Sequence, residues 1–526
     1  AVTWSVEPAD LATVAADTDT RKGTLTAGDH AGSGTLTATV TTEGGAAKTA
    51  SIPVTVRAAD ADDFEISEDG VLVKYKGSAT EVTLPDTVTS IGERAFASST
   101  VESVTIPASV RSIGLEAFIY SSLKKITFVD DEAHPAQLTK IADRAFANTS
   151  LESIELPRSV VTIGAEVFDY NSALTTIKLG PNVAADAVTS GYAETTALTS
   201  VEVDPANPNF ESVDGVLYSK DHSRLILYPA AKNTGGTYTV LDGVTTIAPK
   251  AFQKAGITSV TLPDSLRTIG DEAFRLSALT AVTLPEKFET VGTCAFCSAD
   301  KLARIDLGGT ISLGGSAFES TSAKEGVNFR PELGRLTTIS QNAFTGAALT
   351  SLTLPDSVTS IGNSSFSNNT SLTEVHVGAG LSTIGNAALS GNTALATITV
   401  NPANASFKAV DGVLYDQGGQ RLALYPPARP GSEFEVPAGT KEIGSLAFDG
   451  ASSLSRVTLP EGLTTIDYAA FYGCTNLVDM DFPESLEVVR GVQNTGLDTV
   501  ILGKNTRELF MPTRENLAPR HLIVRG

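Results

Sequence analysis

The side chains that most often carry chemistry are few in this sequence, and their spacing does not suit catalysis or metal binding. The five histidines are His30, His134, His222, His376 and His521. None has a second histidine or a cysteine at the spacing that zinc sites use, so we predict no metal site and no cofactor. The sequence also contains no phosphate-binding loop, no G-x-S-x-G elbow and no H-E-x-x-H motif. We therefore predict that the chain is not an enzyme.

The three cysteines, Cys294, Cys297 and Cys474, are too few for a scaffold held together by disulfides. Cys294 and Cys297 form a C-x-x-C sequence, a spacing that redox-active pairs use. The two residues between them, Ala295 and Phe296, fall at positions of a repeat that we expect to be buried. Two interpretations therefore stay open for this pair: a structural placement in a repeat core, which we favour, and redox chemistry.

The charge of the chain argues against nucleic acids and anionic membranes as its main partners. Its formal net charge is −22 at pH 7, and polyanions are repelled by such a surface. No stretch approaches the roughly 20 apolar residues of a transmembrane helix. The chain begins at Ala1 rather than at Met and shows no signal peptide, which predicts a mature fragment of a longer protein.

A repeat of 22 or 23 residues runs through most of the chain and must position any functional side chain. The segments that begin at Leu151 and Leu349 read LESIELPRSVVTIGAEVF and LTSLTLPDSVTSIGNSSF. Their shared frame is L-x-x-I-x-L-P-x-S-V-x-x-I-G-x-x-A-F. Such periods are typical of solenoids, in which each coil buries its apolar side against its neighbours. The spacing predicts about seventeen coils between residues 62 and 526, with no strand assigned near 181–197 or 320–336.

Each position of the frame has a structural role. The I-x-L pair, such as Leu352 and Leu354, predicts a short strand with one buried face. The proline that follows can only stand where the strand ends, because it has no N–H to donate. The glycine, such as Gly362, permits a tight bend or a close backbone approach. Twelve of the 21 phenylalanines close the frame, and we predict that all of them are core residues: Phe96, Phe118, Phe146, Phe168, Phe252, Phe274, Phe296, Phe318, Phe344, Phe366, Phe448 and Phe471.

Two insertions interrupt the repeat and are copies of each other. They read FESVDGVLYSKDHSRLILYP from Phe210 and FKAVDGVLYDQGGQRLALYP from Phe407. In each copy two apolar runs flank a polar turn, which predicts a β-hairpin. A weaker version, EDGVLVKY from Glu68, opens the array and is predicted to cap it. Four tyrosines of the two copies suit either a protein interface or packing of the hairpin on its own solenoid, which we favour: Tyr218, Tyr228, Tyr415 and Tyr425.

The exposed strand positions of the frame offer a second candidate binding surface. In most coils they hold small residues, which predicts threonine ladders. In the C-terminal half they hold Arg304, Asp306, Glu374, His376, Glu433, Glu435, Arg456, Asp479 and Asp481. Neighbouring coils are expected to bring these side chains into one mixed, mostly acidic strip. The strip is either a solvated surface that discourages edge pairing, which we favour, or a contact surface for a basic partner or a cation.

The segment 62–526 resembles the BspA-like leucine-rich repeats of bacterial surface proteins, because LP-x-SV-x-x-IG-x-x-AF recurs with DGVLY hairpins between the coils. The FYGC run that ends at Cys474 is similar to the AF-x-x-C variant of that family, which implies a structural cysteine. Residues 1–58 resemble the latter part of a bacterial Ig-like (BIG) domain, since VTWSVEPADLATVAA, GTLTA, GTLTATVTTEGG and SIPVTV alternate as strands do. The resemblance implies that Trp4 lies in the core of this partial domain.

Together these features predict a mainly β protein. A right-handed leucine-rich-repeat solenoid of about seventeen coils with β-hairpin insertions (62–526) follows a partial Ig-like β-sandwich (1–58). The resemblance implies an extracellular protein, either secreted or on the bacterial surface. Its expected function is adhesion to a host or neighbouring-cell protein or glycan, through the solenoid face or the insertion loops. The alternatives are a structural spacer and a targeting module of a secreted enzyme. No nucleic-acid partner and no membrane insertion are expected.

Overall fold

A computed structural model describes residues 2–9, 12–16, 22–27, 32–41, 46–56, 61–186, 192, 194–510 and 519–524. The chain forms two compact units. The first contains Ala1–Asp221 and Ile226–Lys232, and the second contains His222–Leu225 and Asn233–Gly526. Across the described ranges the regular structure is strand, apart from one 3-10 helix at Ala61–Asp63. The prediction of a mainly β protein is confirmed.

The N-terminal segment forms short antiparallel strands. They are Val2–Glu7, Ala12–Ala16, Gly23–Ala27, Gly32–Thr41 and Ala47–Val56. The first, fourth and fifth make one sheet, and the second pairs with the third. Val6 and Ala12 form its small buried core. Trp4 is only half-buried, which corrects the prediction that this residue is the core residue; Val6, on the same face of the strand, is buried instead.

Each coil of the repeat carries two short parallel strands with a turn between them, and we call these the first and the second strand. The first strand is the I-x-L part of the frame. The proline that follows it starts the predicted turn, since the carbonyl oxygen of Pro355 accepts the N–H of Val358 at 3.1 Å. The second strand ends at the glycine of the frame. A Cβ on Gly362 would lie 2.7 Å from the backbone nitrogen of Gln341, so the predicted close approach is confirmed.

In the first unit, the first strands are Glu81–Thr83, Ser103–Ile106, Lys125–Phe128, Ser153–Glu155, Thr176–Leu179 and Ser200–Val203. The second strands are Ser90–Ile91, Ser112–Ile113, Lys140–Ile141 and Thr162–Ile163. Phe64–Ile66 and Val71–Tyr75 form an antiparallel pair at the end of this second-strand sheet. The segment from Glu68 therefore opens the array, as predicted. The insertion of this unit pairs Phe210–Val213 with Val216–Ser219.

In the second unit, the first strands are Thr237–Thr239, Ser259–Thr261, Ala281–Thr283, Arg304–Asp306, Val327–Asn328, Ser351–Thr353, Glu374–Val377, Thr397–Val400, Glu433–Glu435, Arg456–Thr458, Asp479–Asp481, Thr499–Leu502 and His521–Val524. The second strands are Thr246–Ile247, Thr268–Ile269, Thr290–Val291, Ser312–Leu313, Thr338–Ile339, Ser360–Ile361, Thr383–Ile384, Glu442–Ile443, Thr465–Ile466, Val488–Val489 and Glu508–Leu509. The strand Arg224–Leu227 precedes them at the division between the units. With six first strands in the first unit and thirteen here, nineteen occur in the described chain. The β-solenoid therefore has more coils than the predicted seventeen, partly because the segment near 320–336 contains Val327–Asn328.

The insertion of the second unit has three antiparallel strands, Phe407–Val410, Val413–Asp416 and Arg421–Leu424. A two-residue turn joins the first two strands, and both of its residues have positive φ, 48° at Asp411 and 80° at Gly412. An Asp-Gly pair favours this kind of hairpin turn. The sequence predicted a β-hairpin with two strands here, and the structure has one strand more.

The phenylalanine of the frame builds the core of each unit. All twelve of these side chains are buried, which confirms the prediction. In the second unit the ring of Phe274 stacks on Phe252 and Phe296, with centroid distances of 4.7 and 4.9 Å. A tyrosine of the insertion takes the same place in the stack, since Tyr425 lies 4.8 Å from Phe448. The core therefore contains an aromatic column with one ring in most coils.

Backbone hydrogen bonds join the first strands of neighbouring coils and also their second strands. A third set joins the turns that carry these phenylalanines. Phe274 donates its N–H to the carbonyl of Ala295 at 2.6 Å, and Glu272 donates to Thr293 at 2.9 Å. The residues two before and two after the phenylalanine have positive φ, 55° at Glu272 and 58° at Leu276. Leu276 is exposed, so this geometry turns its side chain away from the buried ring.

Candidate functional site

Five of the predicted strip residues lie together on three adjacent first strands of the second unit. We call Glu433, Glu435, Arg456, Asp479 and Asp481 the C-terminal strip. The parallel pairing places Arg456 between Glu433 and Asp479. The Nη1 atom of Arg456 lies 3.4 Å from Oδ2 of Asp479. All five side chains are exposed, because the residues that alternate with them turn into the core.

The two rows of the C-terminal strip differ in their electrostatics. In the first row, Arg456 lies between the carboxylates of Glu433 and Asp479. Its positive charge reduces the repulsion between them. In the second row Thr458 stands between Glu435 and Asp481, so no opposite charge lies between these carboxylates within the row. Adjacent strands of a sheet lie about 4.8 Å apart, and the two carboxylates are thus separated by about twice that distance. The second row is the more strongly negative part of the strip.

Glu374 and His376 lie on another first strand, between two strands that carry small polar residues. Glu374 faces Ser351 on one side and Thr397 on the other. The Nδ1 atom of His376 lies 2.8 Å from the hydroxyl oxygen of Thr399. Glu374 is exposed and His376 is half-buried. These two residues belong to a threonine ladder rather than to a cluster of charges.

The carboxylate of Asp306 already has partners within its own unit. It accepts hydrogen bonds from Nε of Arg330 at 2.7 Å, from the N–H of Gly308 at 3.0 Å and from Nδ2 of Asn328 at 3.1 Å. Burial raises the pKa of this carboxyl, but the three donors and the charge of Arg330 outweigh it, so the pKa is lowered overall. Arg304, two residues before it, is exposed.

The predicted strip is therefore not continuous. The strands Arg304–Asp306, Glu374–Val377 and Glu433–Glu435 belong to three separate sheets of the second unit. The insertions and irregular coils between them interrupt the first-strand ladder. The structure brings together the members of the C-terminal strip and leaves Arg304, Asp306, Glu374 and His376 apart from it, so the contiguous charged surface is shorter than the sequence predicted.

The tyrosines of the insertions are buried. Tyr218, Tyr228, Tyr415 and Tyr425 have almost no exposed surface, and burial raises the pKa of both Tyr228 and Tyr415 to about 12. Tyr228 also donates its hydroxyl hydrogen to the carbonyl of Lys232 at 3.0 Å. These contacts agree with packing of the hairpin on its own solenoid. They correct the alternative prediction that the four tyrosines form an interface for a partner.

A ladder of alternating charges in the first unit was not predicted. Nε of Arg94 donates to Glu116 at 2.6 Å, Nη1 of Arg144 lies 2.8 Å from the other oxygen of Glu116, and Nε of Arg144 lies 3.7 Å from Glu166. All four residues stand two positions before the phenylalanine of consecutive coils. Their charges alternate along the sequence at that position, and this signal was available. The side chain of Glu116 is 11% exposed, so the ladder is partly desolvated.

Several aromatic residues are exposed, at positions for which the frame did not predict burial. Tyr120 and Tyr170 are 59% and 53% exposed and stand two positions after the phenylalanines of their coils. In the second unit, the exposed residues Tyr468 and Phe510 have ring centroids 6.0 Å apart. An exposed aromatic side chain is an available contact for a protein or a glycan. The left-handed geometry beside each buried ring explains the exposure of Tyr120 and Tyr170.

The cysteines have structural surroundings. Cys294 and Cys297 form a disulfide around the turn that buries Ala295 and Phe296. Cys297 is buried and Cys294 is half-buried. Cys474 is fully buried, its sulfur donates to the carbonyl of Phe448 at 3.2 Å, and burial raises the pKa of its thiol to about 12. The prediction of a structural Cys474 is confirmed.

The histidines are dispersed. In the described ranges, no three His, Cys, Asp or Glu side chains converge in a way that could hold a metal ion. His134 and His521 each lie near one aspartate, Asp131 and Asp498 respectively, and His30 lies outside the described residues. The described residues also contain no helix that is long and apolar enough to cross a bilayer.

Comparison with solved structures finds leucine-rich-repeat proteins and a pneumococcal antigen. A leucine-rich repeat protein from Eubacterium ventriosum is 20% identical over 92% of this chain and 99% of that chain, with a TM-score of 0.35. The pneumococcal vaccine antigen PcpA is 22% identical over 79% of this chain and 85% of that chain, with a TM-score of 0.34. A leucine-rich repeat protein from Bacteroides ovatus is 19% identical over 86% and 92%, with a TM-score of 0.30.

No curated protein matches the chain. The family model described as the BspA type leucine rich repeat region matches residues 73–185, 131–211, 236–336, 337–410 and 430–508. These matches span most of the coils in both units and include the frame from which the strands, the turns and the aromatic column arise. The chain belongs to the BspA type leucine-rich-repeat family.

Proposed function

We propose that the chain is a secreted or bacterial cell-surface binding protein that adheres to a protein or glycan partner. The observation that carries this proposal is the C-terminal strip, where charged side chains stand in two exposed rows on adjacent strands. Rows of fixed carboxylates complement a basic protein surface, or a glycan bound through a cation. Family membership supports a surface or protein-interaction role. Binding, rather than catalysis, is the activity that we assign to the solenoid face.

A second candidate is a structural spacer, and the small-residue ladders favour it. The hydroxyl of Thr175 donates to the carbonyl of Glu152 at 2.9 Å, and that of Thr199 donates to the carbonyl of Thr175 at 3.0 Å. Such hydroxyls bond to the backbone of the preceding coil, and small side chains present little for a partner to recognise. A spacer would show no saturable binding through any part of the strip.

We also propose the domain organisation that accompanies this function. Residues 1–58 would be a partial Ig-like sandwich, and residues 62–526 a right-handed leucine-rich-repeat solenoid. The antiparallel strands of the N-terminal segment support the first assignment. The parallel strands of the coils support the second, because crossover connections between parallel strands are right-handed in nearly all proteins. Limited proteolysis with mass spectrometry should cleave first between residues 58 and 62 if this division is correct.

The binding proposal is tested with the purified chain against extracellular-matrix proteins, mucins, glycans and whole cells at physiological salt. The test variant neutralises all four carboxylates of the C-terminal strip by Glu→Gln and Asp→Asn changes. The control variant removes the same charge from exposed residues of the first unit, through Glu81→Gln, Asp86→Asn, Glu93→Gln and Glu152→Gln. We expect the affinity for a saturably bound partner to fall about tenfold or more in the test variant alone. Equal losses in both variants, or no saturable binding at all, would contradict the proposal.

A further inference from the structure

In the second unit, the ladder of second strands is interrupted beside the insertion. Thr383–Ile384 pairs with Ser360–Ile361 on one side. The next second strand, Glu442–Ile443, pairs with the insertion strand Arg421–Leu424 instead. Ile384 is consequently half-buried, whereas the equivalent isoleucines of the two neighbouring second strands are fully buried. Among the described residues, the second strand that contains Ile384 therefore has no second strand of a following coil beside it.

The aromatic column of this unit also changes at that coil. Phe344 and Phe366 stack with their centroids 5.4 Å apart, but the position that follows is Leu389. A leucine fills less space than a phenylalanine ring, and Ala387 and Ala388 precede it. These residues leave a cavity of about 280 Å³ between the coil and the insertion. Asn386 and Arg421 in its lining are exposed, so the cavity opens to solvent.

The lining of the cavity combines an apolar surface with polar groups. Its apolar members are Ile384, Ala388, Leu389, Phe407, Leu414, Ala423, Leu424 and Leu446. Its hydroxyl and amide members are Ser382, Thr383, Asn386, Ser390 and Ser445. Among the lining residues only Arg421 is charged. The lining therefore offers a small molecule both apolar surface and polar groups that could orient it.

Arg421 retains donors for a ligand. Its Nε atom donates to Oε1 of Glu442 at 2.7 Å, and both side chains remain accessible to solvent. A guanidinium group carries five N–H donors, so this ion pair leaves others for a second acceptor. The planar arrangement of these donors matches a carboxylate, which accepts two parallel hydrogen bonds.

We propose that this cavity binds a small organic anion, whose compact apolar group fills the space beside Leu389 and whose carboxylate is bound by Arg421. The volume lies near the lower end of the range for small-molecule sites, about 300–1,000 Å³, so the occupant is a single ring or a short chain. The net charge of −22 attracts cations to the surface as a whole, so a preference for an anion must arise locally from Arg421. This site is separate from the C-terminal strip and adds a small-molecule ligand to the proposed function.

The proposal is tested by calorimetric titration of the full chain with three ligands that share one apolar group. These probes are 3-phenylpropionate, 3-phenylpropan-1-ol and 3-phenylpropylammonium. We expect 3-phenylpropionate to bind at one site, and the alcohol and the ammonium ion to bind at least about tenfold more weakly, because a charge-assisted hydrogen bond is lost. Equal affinity for all three probes, or no binding of the acid at about 10 mM, would overturn it.

Variants of the chain separate this site from adventitious binding. Leu389→Phe restores the residue that the frame has elsewhere and fills the cavity, so binding of 3-phenylpropionate should be lost while thermal stability is kept. Ala423→Leu fills the space from the insertion and serves if the first variant is poorly folded. Arg421→Met should weaken binding of the acid about tenfold, whereas the control Arg456→Met should leave it unchanged. Wild-type affinity in a folded Leu389→Phe or Ala423→Leu variant would overturn the assignment.

Discussion

Replacing Phe274 by alanine tests whether the aromatic column holds the second unit together. The side chain is fully buried and stacks on the rings of Phe252 and Phe296 at 4.7 and 4.9 Å. Truncation of a buried phenylalanine to alanine costs about 3–5 kcal/mol. Each aromatic pair contributes about 0.5–1.5 kcal/mol beyond burial, and this variant loses two pairs. We therefore expect a loss in the upper half of that range, about 4–5 kcal/mol.

The assay is urea unfolding, combined with hydrogen exchange of individual amides. In a stack of repeats, damage spreads to nearest neighbours, so the amides of Phe252 and Ala295 should lose protection together with that of residue 274. Leu276→Ala is the matched control, because Leu276 lies in the same coil but is 39% exposed. Surface substitutions of this kind usually change stability by about 0.5 kcal/mol or less. Equal shifts for the two variants, or unchanged exchange at Phe252, would refute the role assigned to the column.

Three further predictions concern single groups. Glu116→Ala should lower the free energy of unfolding, measured in urea, by about 1–2 kcal/mol, because two arginines lose a partly buried partner. The control Glu102→Ala, in an exposed pair with a lysine, should lower it less. Burial raises the pKa of Asp306, but its donors lower it overall below 3.8. Its stabilising contribution is therefore present above that value and lost as pH falls through the folded pKa, so Asp306→Asn should flatten the fall of Tm below about pH 4. After mild reduction, a thiol reagent should label Cys294 and spare the buried Cys474 until the chain unfolds.

The repeating part of the fold could be predicted because each constraint recurs in coil after coil. A proline that ends a strand, a glycine that admits the neighbouring backbone and a phenylalanine that fills the core give the same pattern many times. The buried stack around Phe274 and the close approach at Gly362 follow from that pattern alone. The burial of Cys474 was implied by the resemblance of its FYGC run to the AF-x-x-C variant of the family.

Features that depend on which strands become neighbours could not be predicted in this way. The frame marks Ile384 as a core residue, but its exposure depends on the pairing of the next second strand with the insertion. In the sequence, Leu389 is a conservative replacement for the phenylalanine of the frame. Only the structure shows that the insertion lies opposite it and that a cavity remains there. The sequence left both an interface and packing on the solenoid open for Tyr425, and only the structure shows that its ring continues the aromatic column.

The candidate binding surface was predicted in its composition but not in its continuity. Alternation along each strand identified Glu433 and Asp481 as exposed positions, and both are exposed. Whether such positions join depends on an unbroken ladder of first strands. The ladder is divided between the strands of Arg304 and Glu374, where the coil near 320–336 departs from the frame. Trp4 shows a related limit, because the resemblance implied a core position for it without fixing its depth in a small core.

The hydrogen bonds that join one coil to the next have a consequence for how such a chain can change in length. Backbone groups make these bonds in a repeating pattern, since the N–H of Phe252 donates to Ala273 of the next coil as the N–H of Phe274 donates to Ala295 of the coil after that. A duplicated segment of one whole coil would therefore meet compatible partners on both sides. The two insertions, whose Asp214 and Asp411 stand 197 residues apart, are what such copying leaves when a whole group of coils is duplicated. Gain and loss of complete coils is thus a route by which this architecture can acquire new surface without redesign of its core.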